Sequence, residues 1–133
     1  MKLLFYEAGC GRDRYEIAGY ATLSCGSIVV QIYGGERPHL GAIAMAYAGG
    51  QIACTEIPKH KEGELAATMA KRVARETGTN VAVTVGIHID NASRQEIELL
   101  CENAYSVCQL LIDQITANRD KLFTAKQNKF KAR

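Results

Sequence analysis

Apolar and polar residues alternate with a period of two along most of the first 57 residues, the pattern of half-buried β-strands. The alternation is clearest from Arg14 to Leu23 and continues in a segment rich in β-branched residues, 27–33. Shorter strands are expected at 2–7, 40–48 and 51–57. Because consecutive strands are joined by short turns, the first half of the chain predicts an antiparallel meander.

After Pro58 the period changes to that of a helix. Leu65, Met69 and Val73 recur at helical spacing, so we expect a helix over 62–77 that ends at Gly78. Two acidic residues, Glu62 and Glu64, lie at its start and three basic residues come later, an order that complements the helix dipole.

A further strand is predicted at 80–89, and a long helix at 94–118. The segment Ser93-Arg94-Gln95-Glu96 has the form of a capping box, which marks the start of that helix. The elements together predict an α+β fold: a mainly antiparallel six-stranded sheet with two helices packed on one face.

The length of 133 residues indicates one domain, expected over 1–118, followed by a basic tail at 119–133. The tail holds six basic residues against one acidic residue. We interpret it as a solvated chain end and expect no nucleic-acid binding, because the rest of the chain is net acidic.

Five cysteines, an odd number without a CxxC spacing, indicate free thiols in a reducing cytoplasm. The N-terminus carries charge too early for a signal peptide. Since no stretch approaches the roughly 18 apolar residues of a membrane span, we expect a cytoplasmic protein without membrane contact.

The loop at 34–41, Gly34-Gly35-Glu36-Arg37-Pro38-His39-Leu40-Gly41, is the first candidate site. Its two adjacent glycines allow another group to approach the backbone closely, and Pro38 makes the loop partly rigid. Arg37 and His39 place a cation and an imidazole on this short connection. His39 either anchors the turn through a backbone carbonyl or faces a ligand.

His88 and Asp90 form a second polar cluster, where the strand at 80–89 leads into the long helix. Being two residues apart, they point to the same side of an extended chain. They either form a local hydrogen-bond network or orient an imidazole for binding. We expect no bound metal, and we interpret His60, between Lys59 and Lys61, as a solvated surface residue.

No catalytic residue is assigned, because the chain lacks the GxSxG, GxxxxGK[ST] and GxGxxG motifs. A small enzyme that uses His39, His88 and Asp90 is one alternative function. It requires the three side chains to meet in one cleft; a separation beyond about 10 Å would exclude it, since direct proton transfer needs hydrogen-bond reach.

The segments 32–42 and 86–92, the second lying before a capped helix, resemble the LpdD-like family of prenylated-flavin chaperones. This family is named for the small accessory subunit of bacterial gallate decarboxylase. The resemblance covers most of 14–118 and implies a non-catalytic accessory protein for decarboxylases of the UbiD type, which use prenylated flavin mononucleotide (FMN). The family also resembles proteasome assembly chaperones in architecture, which implies a homodimer.

If prenylated FMN binds transiently, Gly34, Gly35 and Arg37 could offer backbone N–H groups and a cation to its phosphate. The small residues of the strand at 40–48 could form a flat floor for the ring. They would equally suit a helix, a second subunit or a client protein, so a dimeric interaction module without a ligand is a further alternative. The candidate cofactor-binding residues are Gly34, Gly35, Arg37, His39, Gly41, His88 and Asp90.

Overall fold

The computed structural model describes residues 3–118, so the basic tail at 119–133 lies outside the described residues. Six strands form one sheet, and the predicted α+β class is confirmed. In chain order the elements are β1 (Leu4–Cys10), a 3₁₀ turn (Asp13–Tyr15), β2 (Ile17–Ser24), β3 (Ser27–Gly35), β4 (Ala42–Ala46), β5 (Ile52–Glu56), α1 (Gly63–Thr77), β6 (Asn80–His88) and α2 (Arg94–Ala117). Neither helix is long and apolar enough to cross a membrane.

The sheet is mixed, with the strand order β1-β2-β3-β6-β4-β5. Four of the five strand pairings are antiparallel, and β3 pairs with β6 in parallel. The expected simple meander is therefore wrong in one respect: β6, the last strand in the chain, lies between β3 and β4. The alternation of side chains reports only that a segment is a strand, and its neighbours are selected by tertiary packing.

Because β3 and β4 flank β6, the loop between them at 36–41 has to cross β6. The crossing takes place over Gly86, where an added Cβ atom would overlap the carbonyl oxygen of His39. The backbone N–H of Gly41 donates to the carbonyl of Val85 at 2.9 Å, which holds the far side of the loop against the strand. Glycine is thus required in β6 by the topology of the sheet.

Both helices cover the same face of the sheet, as predicted. Helix α2 packs over β1, β2 and β3, and α1 packs over β4, β5 and β6. Gly19 in β2 brings α2 close, since an added Cβ atom would overlap the side chain of Val107. The largest fully buried side chains are Ile17, Ile28, Ile32, Met69, Leu111, Ile115, Val30, Val73, Val81, Val83, Val85 and Val107.

The small residues of β4 allow a helix to pack closely against the sheet. Ala42, Ala44 and Ala46 are buried under α1, which presents its own small residues Ala66 and Ala70. The sequence allows a helix, a ligand or a second subunit to pack on this strand. In the structure helix α1 packs there. The expected flat floor for a flavin ring is therefore not formed by these alanines.

The start of α2 has the predicted capping box. Ser93 Oγ accepts a hydrogen bond from the backbone N–H of Glu96 at 3.1 Å, and Glu96 Oε1 accepts one from the backbone N–H of Ser93 at 3.0 Å. The hydroxyl of Tyr15 donates to Glu96 Oε2 at 2.8 Å. The Ser93 backbone bond above all, and then the Tyr15 bond, lower the pKa of Glu96, so this carboxylate stays ionised at the positive end of the helix dipole.

The second face of the sheet is not covered by any described element. Its side chains include a row that runs across all six strands and is mostly apolar. We call this surface the open sheet face. Its row consists of Phe5, Thr22, Val29, Ala82, Met45 and Ala53, and Phe5, Val29 and Met45 are exposed.

All five cysteines lie within the described residues and are free, and their exposure predicts their reactivity. Cys25 and Cys54 are exposed, whereas Cys108 is buried and its burial raises the pKa of its thiol to about 11. At pH 8 only about one Cys108 thiol in a thousand would be a thiolate. In a thiol-labelling time course we therefore expect Cys25 and Cys54 to react quickly and Cys108 only on unfolding.

The matched control for this labelling is the double variant Cys25→Ser with Cys54→Ser, which should lose the fast phase. Mass mapping of the labelled peptides identifies the cysteine behind each phase. Fast labelling of Cys108 in the native protein would contradict the burial seen here.

Candidate functional site

The candidate site lies at one edge of the sheet, where the parallel strands β3 and β6 have their carboxyl ends. The loop at 36–41 follows β3, and the turn at 89–93 follows β6. Helix α1 follows β5, which runs in the same direction as β6, so both helices begin at this edge. Six polar side chains meet there: Arg37, His39, His60, Glu62, His88 and Asp90.

Arg37, His88 and Asp90 form the first half of the site, the Arg37 cluster. The guanidinium of Arg37 donates to Asp90 Oδ1, and it lies 3.2 Å from His88 Nε2. His88 Nε2 is in turn 2.9 Å from Asp90 Oδ1. The hydrogen bonds from His88 first and Arg37 second lower the pKa of Asp90. A carboxylate with a lowered pKa stabilises the cluster at neutral pH and loses that contribution as the pH falls.

His39, His60 and Glu62 form the second half, the His39 cluster. His39 Nε2 lies 3.0 Å from His60 Nδ1 and 3.0 Å from Glu62 Oε1. His39 Nδ1 lies 2.9 Å from the carbonyl oxygen of Arg37. Because a carbonyl oxygen only accepts hydrogen bonds, Nδ1 carries a proton and donates it to Arg37. The other ring nitrogen, Nε2, faces His60 and Glu62.

The carboxylate of Glu62 is the most buried member of the site, with 13% of its side chain exposed. Its Oε2 atom has no hydrogen-bond partner among the described residues. The carboxylate packs against Gly41, where an added Cβ atom would lie 2.5 Å from Glu62 Cδ. Gly41, a predicted site residue, therefore makes room for a group that the sequence analysis did not place in the site.

The two clusters adjoin, because the ring centroids of His39 and His88 are 6.2 Å apart. The structure thus brings together His39, His88 and Asp90, as the alternative of a small enzyme requires. It adds His60 and Glu62, and the expectation that His60 is a solvated surface residue is wrong. The sequence contains a signal for this second pair. His60 and Glu62 are two residues apart and shortly precede a helix, as His88 and Asp90 do.

The glycines at the end of β3 lie where the chain turns into the loop that crosses β6. Gly35 has a φ of 78°, in the left-handed region that favours glycine, and its N–H donates to the carbonyl of Glu16 at 3.2 Å. The N–H groups of Glu36 and Arg37 donate to the carbonyl of His88 at 2.8 and 3.3 Å. In this structure the N–H groups of Gly35 and Arg37, two of those predicted to face a phosphate, donate to protein carbonyls. The Arg37 guanidinium remains at the surface, 63% exposed.

A cavity of about 300 Å³ adjoins the two clusters, and we call it the α1–α2 pocket. His60, Glu62 and His88 line it together with Lys59 and Lys61. Its apolar wall comes from the first turns of both helices and the end of β6. That wall consists of Leu65, Ile87, Ile89, Ala92, Ile97, Leu100 and Cys101.

A second hollow of about 350 Å³ lies on the other side of the loop. Tyr20, Tyr33, Gly34, Gly35 and Pro38 line it, and two acidic residues of the neighbouring turn do so as well. The predicted site residues are therefore divided: Gly34 and Gly35 face this hollow, whereas His88 faces the α1–α2 pocket.

Residues 11–116 match the family described as the prenylated flavin chaperone LpdD-like domain. The chain belongs to the LpdD-like prenylated flavin chaperone family. The predicted resemblance is confirmed, and with it a chaperone role. All six polar residues of the site lie within the part of this LpdD-like chain that matches the family.

A solved structure, titled the crystal structure of a novel chaperone complex for yeast 20S proteasome assembly, is similar to this LpdD-like chain. The TM-score is 0.60 at 12% sequence identity, and the match covers 88% of this chain and 98% of the other. At that identity the similarity concerns the fold. The comparison with curated proteins finds no match.

Proposed function

We propose that this LpdD-like chain binds prenylated FMN transiently in the α1–α2 pocket and delivers it to a decarboxylase of the UbiD type. The observation that carries the proposal is the pocket itself: an apolar wall from two helix starts, bordered by cationic and imidazole groups. Sites for small ligands combine an apolar lining with a few polar groups in this way.

The chemistry of the pocket suits the two parts of a flavin nucleotide. The apolar wall offers a surface for the ring, and Arg37, Lys59 and Lys61 offer positive charge for the phosphate. Arg37 reaches the pocket through its contact with His88, which lines it. Asp90 belongs to the proposed site because it binds the side chains of Arg37 and His88. His39 belongs to it because its Nδ1–H holds the backbone carbonyl of Arg37. The volume of about 300 Å³ is small for a ligand site, which suits transient binding.

The proposal includes a homodimer. The open sheet face supports it, because a mostly apolar row runs across all six strands there and no described element covers it. Exposed apolar patches of this kind mark protein–protein contacts. The client decarboxylase would then bind on the side of the sheet that the helices cover, around the α1–α2 pocket.

A small enzyme is the second candidate function, favoured by the approach of His39, His88 and Asp90. Such a group can orient and move a proton. We rank it second because Asp90 is held by Arg37 as well as by His88. In addition, burial raises the pKa of Cys101, the cysteine that lines the pocket, which makes its thiol a weak nucleophile.

The test is binding of prenylated FMN by the purified full-length chain, followed by the absorption spectrum and the native mass. We expect a coloured complex with the added mass of one cofactor per chain, on a dimer. Arg37→Ala should weaken binding about tenfold, the size of a lost charge-assisted hydrogen bond. The dephosphorylated cofactor should bind wild type and Arg37→Ala equally, because only the phosphate uses Arg37.

Arg75→Ala is the matched control, since this exposed arginine lies in the last turn of α1, away from the pocket. It should leave cofactor binding unchanged. A colourless protein without added mass would contradict the flavin proposal, and a monomeric mass would contradict the homodimer. An equal loss in both arginine variants would show that Arg37 has no specific part in binding.

A further inference from the structure

We propose that His39, His60 and Glu62 form a binding site for a divalent transition-metal ion of the Zn²⁺ class. The proposal goes beyond flavin binding and does not depend on it. No bound metal is expected from the sequence, and His60 and Glu62 are not among its candidate site residues. The structure places one ligand atom from each of the three residues within 4.8 Å of the others.

The distances between the three groups suit a shared ion. Ligands that each lie about 2.0–2.2 Å from one metal are about 2.8–3.6 Å from each other in octahedral or tetrahedral geometry. His39 Nε2 is 3.0 Å from both His60 Nδ1 and Glu62 Oε1. His60 Nδ1 is 3.8 Å from Glu62 Oε2. The two separations that involve His39 match this range. The distance from His60 is to the other carboxylate oxygen, so the carboxylate would have to turn to share one ion with both rings.

The protonation of His39 supplies the second argument. Its Nδ1–H donates to the carbonyl of Arg37, so in the neutral form of the ring the Nε2 lone pair points at the other two groups. A metal-binding histidine usually has this arrangement, with its second ring nitrogen donating to a carbonyl or carboxylate. A neutral Nε2 beside the carboxylate of Glu62 brings two acceptors together, and a cation between them would satisfy both.

Glu62 supplies the third argument, because its buried Oε2 atom lacks a hydrogen-bond partner among the described residues. A buried and unpaired carboxylate oxygen is costly, and coordination of a metal offsets that cost. Gly41 leaves the space that this carboxylate occupies. On the chain, His60 is held by a hydrogen bond from its own N–H to the carbonyl of Ile57 at 3.0 Å.

The ligand types decide the class of metal. Two imidazoles and one carboxylate form a set that zinc sites with three protein ligands use, and non-haem iron sites use it too. Mg²⁺ and Ca²⁺ prefer oxygen ligands only and should not bind. His60 and Glu62 also line the α1–α2 pocket, so the ion would lie at the wall of that pocket.

The test is titration of the tag-free full-length chain with Zn²⁺ by calorimetry and with Co²⁺ by visible absorption. The protein carries Cys25→Ser and Cys54→Ser, so that its exposed thiols cannot contribute ligands. We expect one metal per chain and a rise in the melting temperature with Zn²⁺ but not with Mg²⁺. Glu62→Gln and His60→Ala should each weaken Zn²⁺ binding by about 100-fold or more, since losing a group that only orients a metal ligand already costs about 10–100-fold.

Glu64→Gln is the matched control for Glu62→Gln, because it neutralises an exposed carboxylate two residues away that is not part of the His39 cluster. It should leave Zn²⁺ affinity within about threefold of wild type, while circular dichroism verifies that all variants are folded. Absence of stoichiometric Zn²⁺ and Co²⁺ binding would overturn the proposal and leave the cluster as an internal imidazolium–carboxylate pair. An equal loss in Glu64→Gln would overturn the assignment of the three ligands. Since the probe is the metal alone, the result is independent of the flavin experiment.

Discussion

Gly86→Ala should lower the free energy of unfolding by about 3 kcal/mol or more, the upper range for overpacking a buried position. The added Cβ atom would overlap the carbonyl oxygen of His39, at the point where the 36–41 loop crosses β6. The overlap involves backbone, so a side-chain rotation cannot relieve it. Urea unfolding followed by circular dichroism measures the change.

The same substitution should disturb the candidate site, because the displaced segment carries His39 and lies beside Arg37. Where the variant still folds, it should bind Zn²⁺ and prenylated FMN more weakly than wild type. Gly49→Ala is the matched control: nothing lies within 4 Å of its added Cβ atom, so its unfolding free energy should change by less than about 0.5 kcal/mol. Equal stability of Gly86→Ala and wild type would contradict the crossing described here.

Leu111→Ala is expected to have the second large effect, a loss of about 2–5 kcal/mol in unfolding free energy. Leu111 is 1% exposed and lies on the face of α2 that packs against the sheet. Its side chain is close to Gly19 of β2, where an added Cβ atom would lie 3.0 Å from Leu111 Cδ1. Truncation removes buried apolar surface and leaves a cavity between helix and sheet, which thermal or urea unfolding detects.

The neighbouring residue supplies the control. Leu110 is also a leucine in α2 but is 45% exposed, so Leu110→Ala should cost less than about 1 kcal/mol. The pair therefore separates burial from residue type and helix propensity. Similar losses in the two variants would mean that α2 does not pack on β1–β3 through the face seen here.

The sequence by itself determined the elements and the class of the fold. Period-two alternation identified the strands, helical spacing identified α1, and the capping box located the start of α2, because these signals depend on residues that are close along the chain. The two segments around His39 and His88 also carried the family resemblance, which the match over residues 11–116 confirms. Strands, helices and helix starts can be predicted from the sequence because each depends on residues that are close along the chain.

Tertiary structure alone decided the place of β6 and the content of the site. The alternation of Val81, Val83 and Val85 marks a strand but does not name its neighbours, so the insertion between β3 and β4 was not predicted. That insertion makes the 36–41 loop cross Gly86 and brings His39 to His60 and Glu62. These residues are 21 and 23 positions beyond His39, and only packing in three dimensions sets the distance between groups so far apart along the chain.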